Sequence, residues 1–201
     1  MFQEFPKMAR FSRDCVISEK IDGTNASIII SNERDVIDAT GSEGFILAEK
    51  DGNYMFAGSR TRLITPEKDN FGFAGWVKNN AGELFGLGLG RHFGEWWGSG
   101  IQRNYGLKEK RFSLFNVGRW SKNPTEKQEA PPEICSIVPI VAQGMFGTEL
   151  VEEAMNTLRE KGSLAQPGFM NPEGIVIFHI AGNLGFKKTL KDDETPKSLV
   201  K

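Results

Sequence analysis

The chain has 201 residues, of which 39% are hydrophobic and 25% charged, a composition that supports one folded domain and excludes a mainly disordered chain. Its formal net charge of −1 excludes a nucleic-acid binder that works through a global positive field, so contact with a polyanion must come from a local patch. With no apolar run near the roughly 18 residues of a membrane span and no secretory signal, we expect a cytoplasmic protein without membrane contact.

Short β-type runs separated by turn signals dominate the first third of the chain, at residues 15–20, 24–31, 43–50 and 54–59. The first two runs flank Asp22-Gly23 and the last two flank Asp51-Gly52. Because Asp-Gly between apolar runs is the strongest short hairpin signal, both pairs are predicted to form hairpins. A weaker helical pattern covers residues 73–87.

The second half predicts more strands and one clear helix. The strand candidates are residues 92–97, 112–117, 136–142, 174–180 and 184–190. Apolar residues recur at helical spacing over residues 150–158, with Thr148 as N-cap candidate and Gly162 as the stop. Many strands with about two helices predict an α+β fold with mostly antiparallel sheets. Cys15 and Cys135 are predicted to be free thiols.

Familiar catalytic motifs are missing from the sequence, which has no His-x-x-x-His pair, Cys-x-x-Cys pair, serine elbow or phosphate loop. The two histidines, His92 and His179, lie far apart in apolar contexts typical of packed residues. The remaining candidate for catalysis is a lysine nucleophile, because Lys20 ends a predicted strand just before the Asp22-Gly23 turn. By itself this Lys-x-Asp-Gly pattern recurs by chance, and a surface lysine is the simpler interpretation.

Four later segments change that interpretation, namely residues 93–102, 111–117, 172–177 and 185–190. The first places Glu95 among glycines and aromatic residues, and the third begins a buried strand with Glu173. The last sets Lys187 and Lys188 within a β-like run. In this order, and together with the Lys20 motif, the segments resemble the covalent nucleotidyltransferase superfamily of polynucleotide ligases and capping enzymes.

Within that superfamily, the segment Glu-Lys-Ile-Asp-Gly-Thr-Asn at residues 19–25 is most similar to phage-type RNA ligases. Residues 58–62 and 69–73 add to this resemblance. It implies a single nucleotidyltransferase (adenylation) domain of the ATP-grasp-like ligase and capping-enzyme type over residues 1–201, with no OB-fold or other C-terminal domain. It also implies an ATP-dependent RNA ligase that joins 3′-hydroxyl and 5′-phosphate ends through lysyl-AMP and adenylylated 5′-end intermediates.

The resemblance assigns Lys20 as the nucleophile that carries AMP and Lys187 as the clamp on the α-phosphate. It implies further ATP-binding residues, namely Glu19, Ile21, Asp22, Gly23, Asn25, Arg60, Glu95, Phe115 and Lys188. Glu173 would hold Mg²⁺ or Mn²⁺, with Asp22 and Glu95 as further candidate ligands. The candidates for nucleic-acid contact are Arg103, Lys108, Lys110 and Arg111, followed by the tail lysines Lys191, Lys197 and Lys201.

Strand alternation bears on the two adjacent lysines, because Lys187 and Lys188 must point to opposite faces of a strand. Only one of them can line the pocket directly, and Lys187 is our choice. The nucleophile itself has to lose a proton, since a free lysine amine is almost wholly protonated at neutral pH. Neighbouring positive charge from a metal or a basic pair would favour that loss.

Several alternatives stay open at this point. Phe115 can be a core residue, Glu95 a structural carboxylate and Arg60 a solvent-facing side chain. The enzyme can be a DNA or RNA/DNA-hybrid nick ligase, and the use of GTP would indicate a capping-type enzyme. A different class is a non-catalytic nucleotide-binding subunit of a repair complex. The expected partners are ATP and nucleic-acid ends or nicks, with RNA favoured, bound by a monomer in the cytoplasm, or in the host cytoplasm if the chain is phage-encoded.

Overall fold

The computed structural model describes Phe5 and residues 7–193. The chain divides into two compact units, each with its own sheet and its own hydrophobic core. The terminal unit contains the chain up to Ile21 and again from Val138 onward, and the central unit is Asp22–Ile137. That residues 1–201 form one nucleotidyltransferase domain stays a prediction.

Strands outnumber helices throughout the described part of the chain. In chain order, the strands are β1 (Asp14–Lys20), β2 (Thr24–Ser31), β3 (Ala48–Lys50), β4 (Asn53–Ser59), β5 (Leu63–Ile64), β6 (Gly90–Gly98), β7 (Lys110–Leu114), β8 (Cys135–Ile137), β9 (Ile140–Met145), β10 (Gly174–His179) and β11 (Leu184–Thr189). The helices are α1 (Phe73–Asn79), α2 (Ala81–Leu84) and α3 (Thr148–Lys161), with a 3-10 helix at Phe85–Leu87. Among the described strands only β7 and β8 pair in parallel, which confirms the predicted α+β class with mostly antiparallel sheets.

The terminal unit is a four-stranded antiparallel sheet in the order β11-β10-β1-β9, with α3 packed on one face. The apolar stripe predicted on α3 is confirmed, since Ala154, Met155 and Leu158 are buried against the sheet. The cap differs by one residue from the prediction, because Gly147 precedes the helix and Thr148 is its first residue. Gly162 ends it at a φ of 75°, as predicted.

The central unit is a sheet in the order β3-β4-β2-β6-β7-β8, to which β5 is added beside β4. Its core is formed by α1 and α2 against one sheet face and contains aromatic residues from three elements, Phe73, Trp96 and Phe112. The predicted helix over residues 73–87 is divided into α1, α2 and the 3-10 turn. The predicted strand at 136–142 is likewise divided at Pro139, which has no N–H to donate to a ladder.

One of the two predicted Asp-Gly hairpins is confirmed and the other is wrong. At Asp51-Gly52, φ values of 51° and 74° form a two-residue turn that pairs Lys50 with Asn53. At Asp22-Gly23, by contrast, β1 pairs with β9 and β10, while β2 pairs with β4 and β6. The physical reason is that the N–H groups of these two turn residues donate to side chains from distant segments instead of closing a turn.

The cysteines and histidines behave as packed residues. Cys15 and Cys135 are free and buried, and burial raises the pKa of Cys135 to about 12. Burial also lowers the pKa of His92, whose ring lies beside Trp120. In the part of the chain that the structure describes, no helix has both the length and the apolar character needed to cross a membrane.

Candidate functional site

Lys20 ends β1, and its amine is held by a buried carboxylate. Nζ of Lys20 lies 2.6 Å from Oε2 of Glu173, which directly precedes β10. The side chain of Glu173 is 1% exposed and that of Lys20 is 22% exposed, so the amine remains accessible from solvent while the carboxylate does not. The register explains the contact, because Lys20 pairs with Gly174 in the β1–β10 ladder. The predicted nucleophile and the predicted metal ligand are therefore neighbours in the fold.

The register also separates the two lysines of β11. Ser18 pairs with Val176, which in turn pairs with Lys187, so these three side chains share one sheet face. Lys20 follows Ser18 by two residues and lies on that same face. Since only β10 separates β1 from β11, and Lys187 lies two residues out of register with Lys20, the backbones of Lys20 and Lys187 are about 12 Å apart. The geometry therefore supports the choice of Lys187.

Lys188 belongs to the opposite face. It pairs with Ile175, which pairs with Glu19, and Ile175 is part of the core under α3. Nζ of Lys188 lies 3.5 Å from Oδ2 of Asp193. The predicted ATP contact of Lys188 gains no support from this position.

Glu19 was predicted to bind ATP, but its side chain is 1% exposed and is engaged inside the terminal unit. The hydroxyl of Ser163 donates to Oε1 at 2.6 Å. The backbone N–H groups of Leu164 and Ala165 donate to Oε2 at 2.7 and 2.8 Å. These contacts fix the segment that follows α3 to the residue before the nucleophile, and they give the Glu19 side chain a structural role.

The Glu19→Gln variant should gain stability relative to the wild type as pH rises. Burial raises the pKa of Glu19 above its ordinary 4.5, against the lowering effect of its hydrogen bonds. A folded state that holds a proton more tightly than the unfolded state loses stability as pH rises through the folded pKa. Glutamine does not titrate, so its variant is not subject to this loss. From about pH 4.5 upward, the free energy of unfolding of Glu19→Gln should therefore rise relative to that of the wild type.

Urea unfolding at a series of pH values measures this difference. Glu19→Ala is the matched comparison, because it removes the acceptor and not only the charge. It should be less stable by about 2 kcal/mol or more at every pH, since buried donors without acceptors cost about 1–3 kcal/mol each. A pH-independent difference between Glu19→Gln and the wild type would show that the buried carboxylate does not titrate as proposed.

Asp22, the first residue of the central unit, is held from two sides. Nε of Arg103 donates to Oδ2 of Asp22 at 2.8 Å, and the backbone N–H of Asp22 donates to the hydroxyl of Tyr105 at 2.7 Å. The guanidinium of Arg103 bonds this carboxylate, and its predicted contact with nucleic acid stays a prediction. Tyr105 was missed by the sequence analysis, where nothing in residues 103–106 distinguishes it from any other turn residue.

Glu95 is also bound to the turn, because the N–H of Gly23 donates to its Oε1 at 3.1 Å. Asn25 pairs with Glu95 across β2 and β6, and the N–H of Phe115 continues the next ladder by donating to the carbonyl of Phe93 at 3.0 Å. By strand alternation, Asn25, Glu95 and Phe115 share one face of the central sheet, and α1 covers the other. Phe115 is 37% exposed, which does not support the alternative of a core residue.

Gly23→Ala should destabilise the protein because the turn runs against β6. A Cβ at this position would lie 2.4 Å from the carbonyl oxygen of Trp96 and 2.7 Å from Cβ of Trp97. Backbone atoms cannot move aside by changing rotamer, and overpacking typically costs about 1–3 kcal/mol. We expect Gly23→Ala to lose about 2 kcal/mol in urea unfolding.

Gly82→Ala is the matched control in the same unit. Nothing lies within 4 Å of a Cβ at Gly82, which is part of α2. Alanine is the better helix former, so this variant should equal the wild type or exceed it by about 0.5–1 kcal/mol. Equal stability of the Gly23 and Gly82 variants would contradict the close approach to β6.

The other predicted residues are dispersed. Ile21 is buried at 3% exposure, and Arg60 is exposed directly after β4. Arg111 forms an ion pair with Glu109. Lys191 lies 3.4 Å from Oδ1 of Asn171, and Lys197 and Lys201 lie outside the described residues.

Two of the predicted nucleic-acid contacts line an open cavity of about 620 Å³ in the central unit. Its lining includes Lys108, Glu109 and Lys110 in sequence, and Trp76 from α1. Nζ of Lys110 also donates to the carbonyl of Phe71 at 2.7 Å.

The residues near Lys20 fit a hard divalent cation. Across Phe5 and residues 7–193, no three His, Cys, Asp or Glu side chains cluster as a metal site by themselves. Magnesium does not need such a cluster, because it commonly takes one or two carboxylates together with substrate phosphates and water. Glu173 suits this role as a buried oxygen donor beside the nucleophile. The other candidate ligands, Asp22 and Glu95, are bonded to Arg103 and Gly23.

Comparison with solved structures shows the fold. A lysine-to-alanine variant of an RNA ligase from Naegleria gruberi, solved without ligand, is similar at a TM-score of 0.50 and 18% identity over 90% of this chain and 50% of that one. A lysine-to-methionine variant of Naegleria gruberi RNA ligase with AMP and Mn has a TM-score of 0.48 and 18% identity, over 89% of this chain and 50% of that one. The chain thus spans about half the length of the solved structures it matches.

Sequence comparison identifies the family. No curated protein sequence matches the chain significantly. The family model for RNA ligase, however, matches residues 13–191, which include every predicted site residue from Glu19 to Lys188. This match confirms the resemblance to RNA ligases that the motifs indicated. Since it covers far more than half of its 201 residues, the chain belongs to the RNA ligase family.

Proposed function

We propose that the protein is an ATP-dependent RNA ligase that joins 3′-hydroxyl and 5′-phosphate ends through a lysyl-AMP intermediate on Lys20. The observation that carries this proposal is the pair formed by Lys20 and the buried Glu173, with Lys187 on the same face of the sheet. A reactive amine, a fixed carboxylate and a second cation are the groups that nucleotidyl transfer to a lysine requires.

In the first step, the uncharged amine of Lys20 attacks the α-phosphorus of ATP, a nitrogen–phosphorus bond forms and pyrophosphate leaves. The Lys20 ammonium must give up one proton before the attack, and Oε2 of Glu173, 2.6 Å from Nζ, is within the reach required to accept it. The attacking nitrogen releases a second proton to solvent as the nitrogen–phosphorus bond forms. Lys187 is placed to stabilise the negative charge that grows on the α-phosphate oxygens. AMP then passes to a 5′-phosphate, and a 3′-hydroxyl displaces it as the new phosphodiester forms.

Mg²⁺ or Mn²⁺ would be held through Glu173, and when bound it supplies positive charge beside the triphosphate. The residues of the chain itself contribute by holding the Lys20 amine in a fixed position. Because Glu173 is buried and Lys20 is on a strand, the direction of the amine is fixed before the nucleotide arrives. Fixing a reactant in this way removes much of the entropic part of the barrier.

In the central unit, we assign contacts with the nucleoside to the sheet face that carries Asn25, Glu95 and Phe115. The half-exposed ring of Phe115 suits stacking on adenine, a contact worth about 1–3 kcal/mol in nucleic-acid systems. Arg60 remains the candidate for a ribose or phosphate contact. The predicted nucleic-acid contacts near β7, namely Lys108, Lys110 and Arg111, remain candidates, and so few phosphate contacts predict modest and salt-sensitive affinity.

The proposal includes the finer expectations from the sequence, namely one nucleotidyltransferase domain, a monomer, a cytoplasmic location and a phage-type role in RNA repair. These expectations rest on the motif resemblance of the sequence.

The deciding experiment is the intact mass of the purified protein after incubation with ATP and magnesium. A mass increase equal to one AMP supports the proposal, and an increase equal to one GMP with GTP would indicate a capping-type enzyme instead. No adduct at any pH from neutral to alkaline would overturn it in favour of a non-catalytic nucleotide-binding subunit. Sealing assays on matched RNA, DNA and hybrid nicks then test the acceptor, and sealing of all-DNA nicks only would make the protein a DNA ligase.

A further inference from the structure

Residues 100–106, between β6 and β7, form a loop with an unusual backbone. Five of these seven residues have positive φ, including two glycines, Gly100 and Gly106. The other three are Gln102 at 44°, Asn104 at 60° and Tyr105 at 53°. Residues with a side chain rarely adopt this conformation, because their Cβ then approaches the backbone. A loop that keeps three such residues must be held in place by its surroundings.

Packing and local hydrogen bonds hold the loop. Ile101 and Tyr105 are 0% and 1% exposed, and the Tyr105 ring lies edge-on to Trp97 with centroids 4.9 Å apart. Oδ1 of Asn104 accepts from the N–H of Gly100 at 3.0 Å, which closes the loop on itself. The loop is therefore a fixed element of the central unit that keeps its strained residues in one arrangement.

The two functional groups that this loop directs inward both contact Asp22. Arg103 bonds the Asp22 carboxylate at 2.8 Å, and the Tyr105 hydroxyl accepts from the Asp22 N–H at 2.7 Å. Asp22 is 7% exposed, so its side chain and backbone are restrained in a mostly buried position. Asp22 follows Lys20 by two residues, with the buried Ile21 between them.

We propose that the loop of residues 100–106 is a positioning element for lysine adenylylation, in which Arg103 and Tyr105 fix Asp22 and thereby the chain that follows Lys20. Arg103 acts on the first reaction step through Asp22 and does not contact nucleic acid. The inference rests on the proposed function, since it presumes that Lys20 receives AMP.

The physical argument is one of distance. Nucleotidyl transfer requires the attacking atom and the phosphorus to be aligned closely, and an error of about 1 Å can cost about 100-fold in rate. Glu19 restrains the chain before Lys20 by its contacts with Ser163, Leu164 and Ala165. The contacts to Asp22 restrain the chain after it. Without Arg103, the Asp22 carboxylate loses a charge-assisted bond and this second restraint weakens.

The test measures the rate of AMP transfer to Lys20 in a single turnover, at several ATP concentrations. Arg103→Ala should lower the rate at saturating ATP by roughly tenfold to hundredfold. Arg103→Lys should recover only part of this loss, because an ammonium cannot reproduce the direction of a guanidinium N–H. Tyr105→Phe, which keeps the ring against Trp97, should show a smaller loss of the same kind.

The combined variant Asp22→Asn/Arg103→Ala distinguishes positioning from an independent role. If Arg103 acts through Asp22, then Arg103→Ala should cause little further loss in the Asp22→Asn background. Additive losses would overturn the proposal. It would be overturned as well if Arg103→Ala left adenylylation unchanged and slowed only the joining of pre-adenylylated ends, which would make Arg103 a nucleic-acid contact.

Two controls separate this inference from the proposed function. If the wild-type chain forms no AMP adduct, the proposed function fails, and the positioning role fails with it. Thermal unfolding of the wild type, Asp22→Asn, Arg103→Ala and the combined variant reports the contact itself without activity. Coupled effects of Asp22→Asn and Arg103→Ala on Tm require that the two side chains interact. Where Arg103→Ala is poorly folded, Arg103→Lys and Tyr105→Phe give the rate comparison, and rates equal to the wild type in both would overturn the inference.

Discussion

Lys20→Ala should form no AMP adduct when it is incubated with ATP and magnesium, whereas the wild-type chain gains the mass of one AMP. The rate of adduct formation should fall by roughly 10⁶-fold, which is below detection in such assays. The reason is that a covalent mechanism cannot proceed once its nucleophile is removed. Intact mass measures the adduct, and peptide mapping of the wild-type adduct locates the modified lysine.

Lys20→Arg is the control that separates chemistry from folding. Lys20→Ala removes the cation 2.6 Å from the buried carboxylate of Glu173, so part of its effect can be loss of stability. Arginine retains a positive charge near that carboxylate, but its guanidinium stays protonated and does not attack phosphorus. We expect Lys20→Arg to unfold near the wild-type temperature and still to form no adduct. An AMP group mapped to any other lysine would contradict the assignment of Lys20.

The sequence predicts most local elements because their signals lie within a few residues. The stripe of α3 repeats every three to four residues, and the turn at Asp51-Gly52 contains both of the residues that a two-residue turn needs. The Asp22-Gly23 turn has the same local signal and is not a hairpin. The reason is that its N–H groups donate to Tyr105 and Glu95, which lie 83 and 72 residues further along the chain.

The candidate site was predictable in its residue types and not in its contacts. The motif resemblance selected Lys20 and Glu173, but their ion pair spans 153 residues and follows from the register of β1 with β10. The same resemblance grouped Glu19 with the ATP contacts, although its carboxylate is used by Ser163 and two neighbouring N–H groups. Motifs identify side chains with suitable chemistry, whereas the pairing of distant strands decides which face each one occupies.

The sheet face that each lysine of β11 occupies predicts the second large effect, a difference between Lys187→Ala and Lys188→Ala. Lys187 shares a sheet face with Lys20, and Lys188 shares the opposite face with Glu19 and the core under α3. Charge that develops on the α-phosphate is stabilised by a preorganised cation, and removal of one such group typically costs about 10²–10³-fold in rate. Lys187→Ala should therefore lose about 10²–10³-fold in adenylylation at saturating ATP.

Lys188→Ala is the matched control because it removes the same side chain from the next residue of the same strand. It loses the 3.5 Å contact with Asp193, a half-exposed ion pair worth at most about 1 kcal/mol, so its adenylylation rate should stay within about tenfold of the wild type. The single-turnover rate of adduct formation measures both variants, and urea unfolding shows whether either has lost stability. Because the two lysines lie on opposite faces of β11, a larger loss in Lys188→Ala than in Lys187→Ala would mean that the nucleotide binds on the α3 side of the sheet, where Lys20 does not point.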